Sequence, residues 1–301
     1  MNNCSLQIYF LNVYYFDMTI AGRNRARLVA ISIICLILIT AIISIIGILI
    51  SGNIDNYTES GANSLLGAAS SFNKFILKLS LGQYNSFAVL TSIFLFPVLS
   101  LSFFIFVYFT FKKTHAMEIS FFAMFIFCMS FESIRLIFPL YNFSNIVLET
   151  IANISRLVYF FRLSGIMSLF MAGIFANKVI TRKIMSVFFF IFFISFLICL
   201  SMPINNFYIN RYFISDIKAG HSYIYLFLTA AILACVNYFF VYITKNIREY
   251  LFAAISLMGT LIGYFILLYT SSYLLLSIGF TIFILSTIFF IKNVHNYHLW
   301  Q

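Results

Sequence analysis

Charged side chains are scarce in this sequence of 301 residues. Asp, Glu, Lys and Arg together make up 9% of the chain, whereas hydrophobic residues make up 63%. A soluble domain carries about 25% charged residues, because it must present polar groups to water. A chain this apolar cannot cover its surface in that way, so a water-soluble fold is excluded and lipid is the expected environment.

Clusters of residues that could bind a metal or carry out catalysis are also missing. No two of the five cysteines are spaced as a metal or redox pair, and no acidic cluster suits a metal, so we predict no metal and no other cofactor. Glu132 and Arg135 resemble, over a few residues, the Glu/Arg motif of membrane-embedded CAAX-type proteases. That motif needs a second glutamate and histidines within later spans, whereas all four histidines here lie at span ends or in loops. We therefore expect no enzymatic activity.

The formal net charge of +10 does not indicate a nucleic-acid partner. In a soluble protein such an excess would suggest one. Here the basic residues lie mainly in short loops between apolar runs, and no basic helix or aromatic-basic module is available for binding. The excess is instead a topology signal, and we expect no nucleic acid among the partners.

Apolar runs of roughly 20 residues recur along the chain, the length that a helix needs to cross a membrane. Helices are expected because every backbone N–H and C=O must be paired inside lipid. The fold prediction is therefore all-α, a polytopic integral membrane protein with about eight transmembrane helices. The predicted spans are 28–50, 87–111, 119–141, 151–176, 184–204, 221–243 and a last stretch, 250–291, that divides into two near 270–273.

The distribution of Lys and Arg over the connecting segments predicts the orientation. Alternate segments carry eleven and four basic residues, and three more lie within spans. Because Lys and Arg concentrate in cytoplasmic loops, both termini are predicted to be cytoplasmic. The eleven are Arg23, Arg25, Arg27, Lys112, Lys113, Lys178, Arg182, Lys183, Lys245, Arg248 and Lys292; the four are Lys74, Lys78, Arg211 and Lys218.

These predictions divide the chain into three parts. Residues 1–27 form an N-terminal basic and aromatic segment, and translation begins either at Met1 or at Met18, which directly precedes the basic stretch. Residues 28–291 form the eight-span domain, and 292–301 form a short cytoplasmic tail. The outer loop at 51–86 has apolar residues at helical spacing, which predicts a helix lying either on the membrane surface or on the tops of the spans.

Four charged residues fall within predicted spans three and four and are the candidate ligand-binding residues: Glu132, Arg135, Arg156 and Arg162. At a rise of about 1.5 Å per residue, Glu132 lies between Arg156 and Arg162 in depth, so we predict that it contacts one of them. One interpretation is structural, with one ion pair and two arginines that extend to the interface. Another is that the surplus positive charge forms an outward-facing pocket for an anionic small molecule or a lipid. A proton or ion pathway is a third.

Small residues at steps of four mark surfaces where helices can approach closely. Span four carries Ser164, Ser168 and Ala172 in such a row, and span seven carries the pair Gly259 and Gly263. We predict that both rows serve helix packing, and that Asn237 in span six bonds across helices.

Several functions remain open on this sequence. The first is a sensor, receptor-type or regulatory membrane module, and the alternatives are a transporter or channel component for an anion or lipid, or an accessory membrane subunit. The expected partners are membrane lipid, an anionic small molecule and a separate signalling or transport protein. Heavy use of Phe, Ile, Tyr and Asn suggests an A/T-rich bacterial genome, so the predicted location is the bacterial cytoplasmic (inner) membrane.

Overall fold

The computed structural model describes residues 20–51, 84–111, 116–140, 148–176, 184–217 and 222–299. Within these ranges the chain is helical apart from one small hairpin. The helices are α1 (Ile20–Ser51), α2 (Ser86–Thr110), α3 (Met117–Ser130), α4 (Ile137–Leu140), α5 (Leu148–Ala176), α6 (Ile184–Leu200), α7 (Ser222–Lys245), α8 (Arg248–Leu268) and α9 (Tyr273–Leu299), with a 3-10 segment (Phe131–Leu136) between α3 and α4; the strands are β1 (Ile204–Ile209) and β2 (Ser215–Ile217).

The predicted class, an all-helical protein with multiple membrane spans, is confirmed. Seven helical stretches in the described residues are long and apolar enough to cross a membrane, with α3, the 3-10 segment and α4 together forming one of them. Predicted span five is shorter than expected: α6 has 17 residues, about 26 Å of helix. It ends at Leu200 because Pro203 disfavours helical backbone in the residue before it.

The division of the last apolar stretch near 270–273 is also confirmed. Helix α8 ends at Leu268, and α9 begins at Tyr273 after a short turn. The backbone N–H of Asn85, the N-cap of α2, donates to the Ser271 carbonyl of that turn at 2.9 Å. The turn is therefore held against the start of α2.

Polar contacts define two ends of the bundle. At one, here named the Arg23 end, Arg27 Nη1 on α1 donates to the Phe111 carbonyl that follows α2, at 3.0 Å. At the same end Lys245 Nζ at the end of α7 donates to the Ala176 carbonyl that closes α5. At the other, here named the hairpin end, the β1–β2 hairpin contacts the start of α2 through the Tyr84 hydroxyl, which donates to the Arg211 carbonyl at 3.0 Å.

Helix α6 runs from one end of the bundle to the other despite its length. Phe188 near its start packs on Phe121, which lies one turn into α3 at the Arg23 end, with ring centroids 4.7 Å apart. The residues after α6 form the hairpin. The described chain therefore makes eight passes, and residues 20 and 299 lie at the same end.

The hairpin was not predicted. Its strands are antiparallel, with Ile204 opposite Ile217 and Ile209 opposite Ser215. Asn210 shapes the turn, because its side-chain oxygen accepts the backbone N–H of Tyr212 at 2.9 Å. Phe213 then takes a positive φ of 53°. The sequence analysis left residues 205–220 as a connection between two spans, because polar residues such as Asn206, Arg211 and Asp216 interrupt the apolar pattern there.

The predicted packing residues lie at helix contacts. A Cβ on Gly263 would lie 2.7 Å from the backbone nitrogen of Phe283, so α8 and α9 touch through their backbones there, and Gly259 meets Ser286 in the same seam. Ser164, Ser168 and Ala172 on α5 are fully buried. On α7, the side-chain amide of Asn237 donates to the Phe170 carbonyl of α5 at 3.4 Å, as the sequence predicted.

The outer-loop helix, the two alternative start residues and the outer lysines Lys74 and Lys78 lie outside the described residues. Within them, basic residues divide unequally between the two ends. Arg23, Arg25, Arg27, Lys245, Arg248 and Lys292 lie at or near the Arg23 end, and Arg211 lies at the hairpin end.

We predict from this division that the Arg23 end faces the cytoplasm. Reporter fusions after Lys113, in the connection between α2 and α3, should show cytoplasmic activity. Fusions after Asn206, in β1, should show activity on the outside of the membrane. Both fusions reporting the same compartment would contradict the eight-pass topology, and exchanged compartments would contradict the orientation.

Candidate functional site

The third span is broken where its charged residues lie. Regular α-helix stops at Ser130 and is replaced by the 3-10 segment Phe131–Leu136. Two hydroxyls bond to carbonyls three residues back in this stretch, Ser130 Oγ to Phe127 at 2.7 Å and Ser133 Oγ to Ser130 at 3.0 Å. Such bonds compete with the regular helical ladder. Because a 3-10 helix has three residues per turn, residues three apart are superimposed, and Glu132 is brought directly beside Arg135.

Glu132 and Arg162 form a two-pronged ion pair between α5 and the broken span. Arg162 Nε donates to Glu132 Oε1 at 2.6 Å, and Arg162 Nη2 donates to Oε2 at 2.9 Å. Both side chains are buried, with relative exposures of 5% and 2%. The predicted contact between Glu132 and a span-four arginine is therefore formed, and Arg162 is the partner. This arrangement uses the planar fork of the guanidinium, which suits a carboxylate better than a lysine would.

Two further side chains complete the surroundings of Glu132. Arg135 Nε lies 3.0 Å from Glu132 Oε2. The Tyr264 hydroxyl of α8 donates to Glu132 Oε1 at 3.2 Å and is buried. One carboxylate therefore receives donors from three helical elements, and it is the centre around which α5, α8 and the 3-10 segment meet.

Sequence reasoning missed Tyr264. It is one of 19 tyrosines and lies in an unbroken apolar run. The available signal was its position next to Gly263, where α8 must approach its neighbour closely. Nothing in the sequence indicated that the close approach would also direct a phenol at a buried carboxylate.

Arg135 connects the cluster to the hairpin. Its Nη1 donates to the Tyr212 carbonyl in the hairpin turn at 3.2 Å, and its guanidinium lies 5.9 Å from the centre of the Phe96 ring. Its Nη2 is buried and has no hydrogen-bond partner among the described residues. The side chain is 1% exposed. The cluster of Glu132, Arg135 and Arg162 thus holds two positive groups and one negative group, and the unused donor belongs to Arg135.

This geometry changes the charge argument made from the sequence. There, Glu132 could pair with either Arg156 or Arg162, so the surplus positive charge was not assigned to one arginine. In the structure Arg162 has the best-paired guanidinium, and the surplus positive charge falls on Arg135. A depth estimate could not distinguish them, since it ignores which faces of two helices meet.

Arg156 is not part of the cluster. It is half-buried, and its Nη1 donates to the exposed Asn153 side chain of its own helix at 3.1 Å. Six residues separate it from Arg162, which at 3.6 residues per turn turns the two side chains about 120° apart on α5. The structure therefore brings together three of the four predicted residues.

A second polar cluster, also missed by sequence reasoning, lies at the Arg23 end. Glu118 near the start of α3 accepts the Tyr250 hydroxyl at 2.9 Å, and its other oxygen lies 3.6 Å from His298 Nε2. Glu118 is buried. These contacts join the ends of α3, α8 and α9, which is a structural role. In the described residues no group of three or more His, Cys, Asp or Glu side chains could hold a metal ion.

Tyr84 ties the hairpin to the start of α2. Burial raises the pKa of Tyr84, so its hydroxyl keeps its proton and donates to the Arg211 carbonyl. The Arg211 guanidinium lies over the same ring, 5.5 Å from its centre. The hairpin is therefore anchored at two adjacent carbonyls of its turn, by Tyr84 and by Arg135.

Comparison with known proteins identifies a bacterial relative and adds no activity. No family model matches the chain, and no solved structure matches it. The chain is 26% identical over 241 residues to a protein of Treponema pallidum (strain Nichols) described as an uncharacterized protein; the match covers 64% of this chain and 70% of that one. The chain thus has a bacterial relative, and it is itself a multi-helix membrane protein whose polar centre is Glu132 with Arg135, Arg162 and Tyr264.

Proposed function

We propose that this chain is a sensor- or receptor-type membrane module of the bacterial inner membrane, and that it responds to an anionic ligand at Arg135. One observation carries the proposal: Arg135 is buried beneath the hairpin turn, shares its one counter-charge, Glu132, with Arg162, and has an unused donor. Both ends of the chain are cytoplasmic in this proposal, so the hairpin faces the outside. No catalytic step is part of it.

The energetics favour a negatively charged ligand. A buried charge without a counter-charge is costly, because the surroundings cannot replace the water that it loses. A carboxylate or a phosphate that reached Arg135 would neutralise the surplus charge and accept the Nη2 proton in a charge-assisted hydrogen bond. At the hairpin end the Tyr212 carbonyl already accepts from Arg135 Nη1, so it is the acceptor with which such a ligand would compete.

The same contacts supply a way to transmit the binding event. A ligand that competes with the Tyr212 carbonyl for Arg135 would alter the position of the hairpin. It would also weaken the ion pair between Arg135 and Glu132, and Glu132 bonds to Arg162 of α5 and Tyr264 of α8. A ligand shifts a conformational equilibrium only as far as it binds one state better than the other, and Arg135 touches both the hairpin and the buried centre.

The proposal is tested by thermal unfolding of the purified protein in detergent with increasing phosphate or acetate. A ligand that binds only the folded state raises the free energy of unfolding by about 2.7 kcal/mol at one hundred times its Kd, and the midpoint temperature rises with it. We expect this rise for the wild type and for Arg156→Gln, which removes an arginine outside the cluster. We expect none for Arg135→Gln. Equal rises in all three proteins, or no rise in any with either anion, would contradict an anion site at Arg135.

A transporter or channel component is the second candidate, and the broken third span favours it. Interrupted helices with ionisable residues near mid-membrane form the binding sites of many transporters. Here the 3-10 segment holds both Glu132 and Arg135. Flux measured in proteoliposomes separates the two functions. Binding that depends on Arg135 without flux supports the sensor, whereas flux that is lost in Arg135→Gln supports the transporter.

A further inference from the structure

A cleft at the Arg23 end combines buried arginines with an apolar floor. It has a volume of about 220 Å³ and is bounded by α1 on one side and Phe188 of α6 on the other, with residues of α2 and α3 between them. Arg23, Arg27 and Ser120 supply its polar atoms, and apart from these its lining is apolar. It lies at the opposite end of the bundle from the Arg135 cluster.

The two arginines share one face of α1, because residues four apart lie one above the other on a helix. Both are buried, with 4% and 6% of their surface exposed. Arg27 Nη1 donates to the Phe111 carbonyl. Four other donors, Arg23 Nε and Nη1, Arg27 Nη2 and the Ser120 hydroxyl, are buried without a hydrogen-bond partner among the described residues. Leaving such donors unmet is unfavourable, so the site is built to receive an acceptor.

The charge of the two arginines favours an anion as the acceptor. Among the residues that the structure describes, no acidic side chain lines the cleft and no ion pair involves Arg23 or Arg27. Two adjacent guanidiniums present forked pairs of N–H donors, the arrangement that matches a phosphate. A single carboxylate would occupy one fork and leave the other without a partner.

The rest of the cleft shows what the phosphate is attached to. From Arg23 the lining continues along α1 to Ile33, ten residues and about 15 Å further into the span. Phe127 of α3 contributes to the same apolar wall. Inorganic phosphate or a small soluble anion would use the arginines and leave this apolar surface empty. A lipid would use both parts.

We infer that the cleft binds one anionic glycerophospholipid, with its phosphate on Arg23, Arg27 and Ser120 and an acyl chain along α1 towards Ile33. The location agrees with this ligand, because α1 is the least buried of the seven long apolar helices. Its other faces carry exposed apolar side chains such as Ile43 and Leu49 and so lie against the bilayer. The lipid fills the gap between α1 and α6 and joins α1 to α3. This site is independent of the proposed function at Arg135.

The test measures how tightly phosphatidylglycerol binds to the detergent-purified protein, by native mass spectrometry of the lipid adduct. Arg25 provides a matched control, because it lies on the same turn of α1 but is exposed. We expect the affinity to fall about tenfold in Arg23→Gln and about tenfold in Arg27→Gln, because each variant loses one charge-assisted contact. In Arg25→Gln it should change less than twofold. An equal fall in Arg25→Gln would show non-specific attraction of the lipid and overturn the inference.

Two more measurements distinguish a bound lipid from a free anion. Ala30→Phe fills the apolar part of the cleft and leaves both arginines intact, so it should also weaken phosphatidylglycerol binding about tenfold. Normal binding in that variant would contradict the acyl-chain position. Millimolar inorganic phosphate should not displace the lipid, and phosphatidylcholine should bind more weakly than phosphatidylglycerol. Displacement by phosphate alone would assign the site to a free anion. Equal binding of the two lipids would contradict the inference that the bound lipid is anionic.

Discussion

Replacing Glu132 with Gln is expected to destabilise the protein by about 3–5 kcal/mol, the cost of breaking a buried ion pair from one side. The substitution preserves the shape of the side chain and removes its charge. Arg162 and Arg135 would then both be buried without a counter-charge, and the Tyr264 hydroxyl would face a neutral amide. Chemical unfolding in detergent micelles measures the loss, and the yield of folded protein provides a second reading where the variant is too unstable to purify.

The order of related variants tests the cause. Arg135→Gln leaves the Glu132–Arg162 pair intact and removes the surplus charge, so its stability should stay within about 1 kcal/mol of the wild type. The double variant Glu132→Gln with Arg162→Gln leaves a single unpaired arginine and should be more stable than Glu132→Gln alone. If Glu132→Gln proves as stable as Arg135→Gln, the ion pair does not hold the three helical elements together.

Much of this fold follows from the sequence because lipid imposes simple rules. Each span must be apolar and about 20 residues long, and basic residues mark one side. These rules placed the boundary between α8 and α9 within two residues of the observed turn at 269–272. They gave no information on the hairpin or on the 3-10 break, since both depend on local hydrogen bonds of Asn210, Ser130 and Ser133 rather than on hydropathy.

The polar centre could be predicted only in part. Depth along two antiparallel helices was enough to pair Glu132 with an arginine of α5. It could not exclude Arg156, because the direction in which a side chain points depends on how the helices are rotated against each other. Tyr212 and Tyr264 reach the cluster from segments 77 and 132 residues away along the chain. No local pattern carries that information.

The roles of the three arginines at the start of α1 could also be predicted only in part. Arg23, Arg25 and Arg27 were grouped as cytoplasmic topology signals. The structure separates them, because residues 23 and 27 share a buried face whereas Arg25 is exposed. A helical pattern was present in their spacing, but the sequence alone did not show that α3 and α6 would cover that face.

Replacing Gly263 with Ala is expected to destabilise the protein by about 1–3 kcal/mol, the usual cost of extra volume in a well-packed contact. The new Cβ would lie 2.7 Å from the backbone nitrogen of Phe283 and 2.8 Å from its Cα. Backbone cannot rotate out of the way as a side chain can. Helices α8 and α9 would have to separate, and this would also move Tyr264, the next residue, away from Glu132.

Gly259, one turn earlier on α8, provides the matched control. There the nearest atom to an added Cβ is the side-chain oxygen of Ser286, so the obstacle can be removed by a second substitution. Gly259→Ala should lose stability and should regain most of it when combined with Ser286→Ala. Gly263→Ala should not be restored by Phe283→Ala, because the backbone atoms remain and a large buried side chain is lost as well. Unfolding midpoints in detergent micelles distinguish the two cases. Recovery at both positions would mean that side chains, rather than backbone contact, set the distance between α8 and α9, and the close approach that positions Tyr264 would then have another cause.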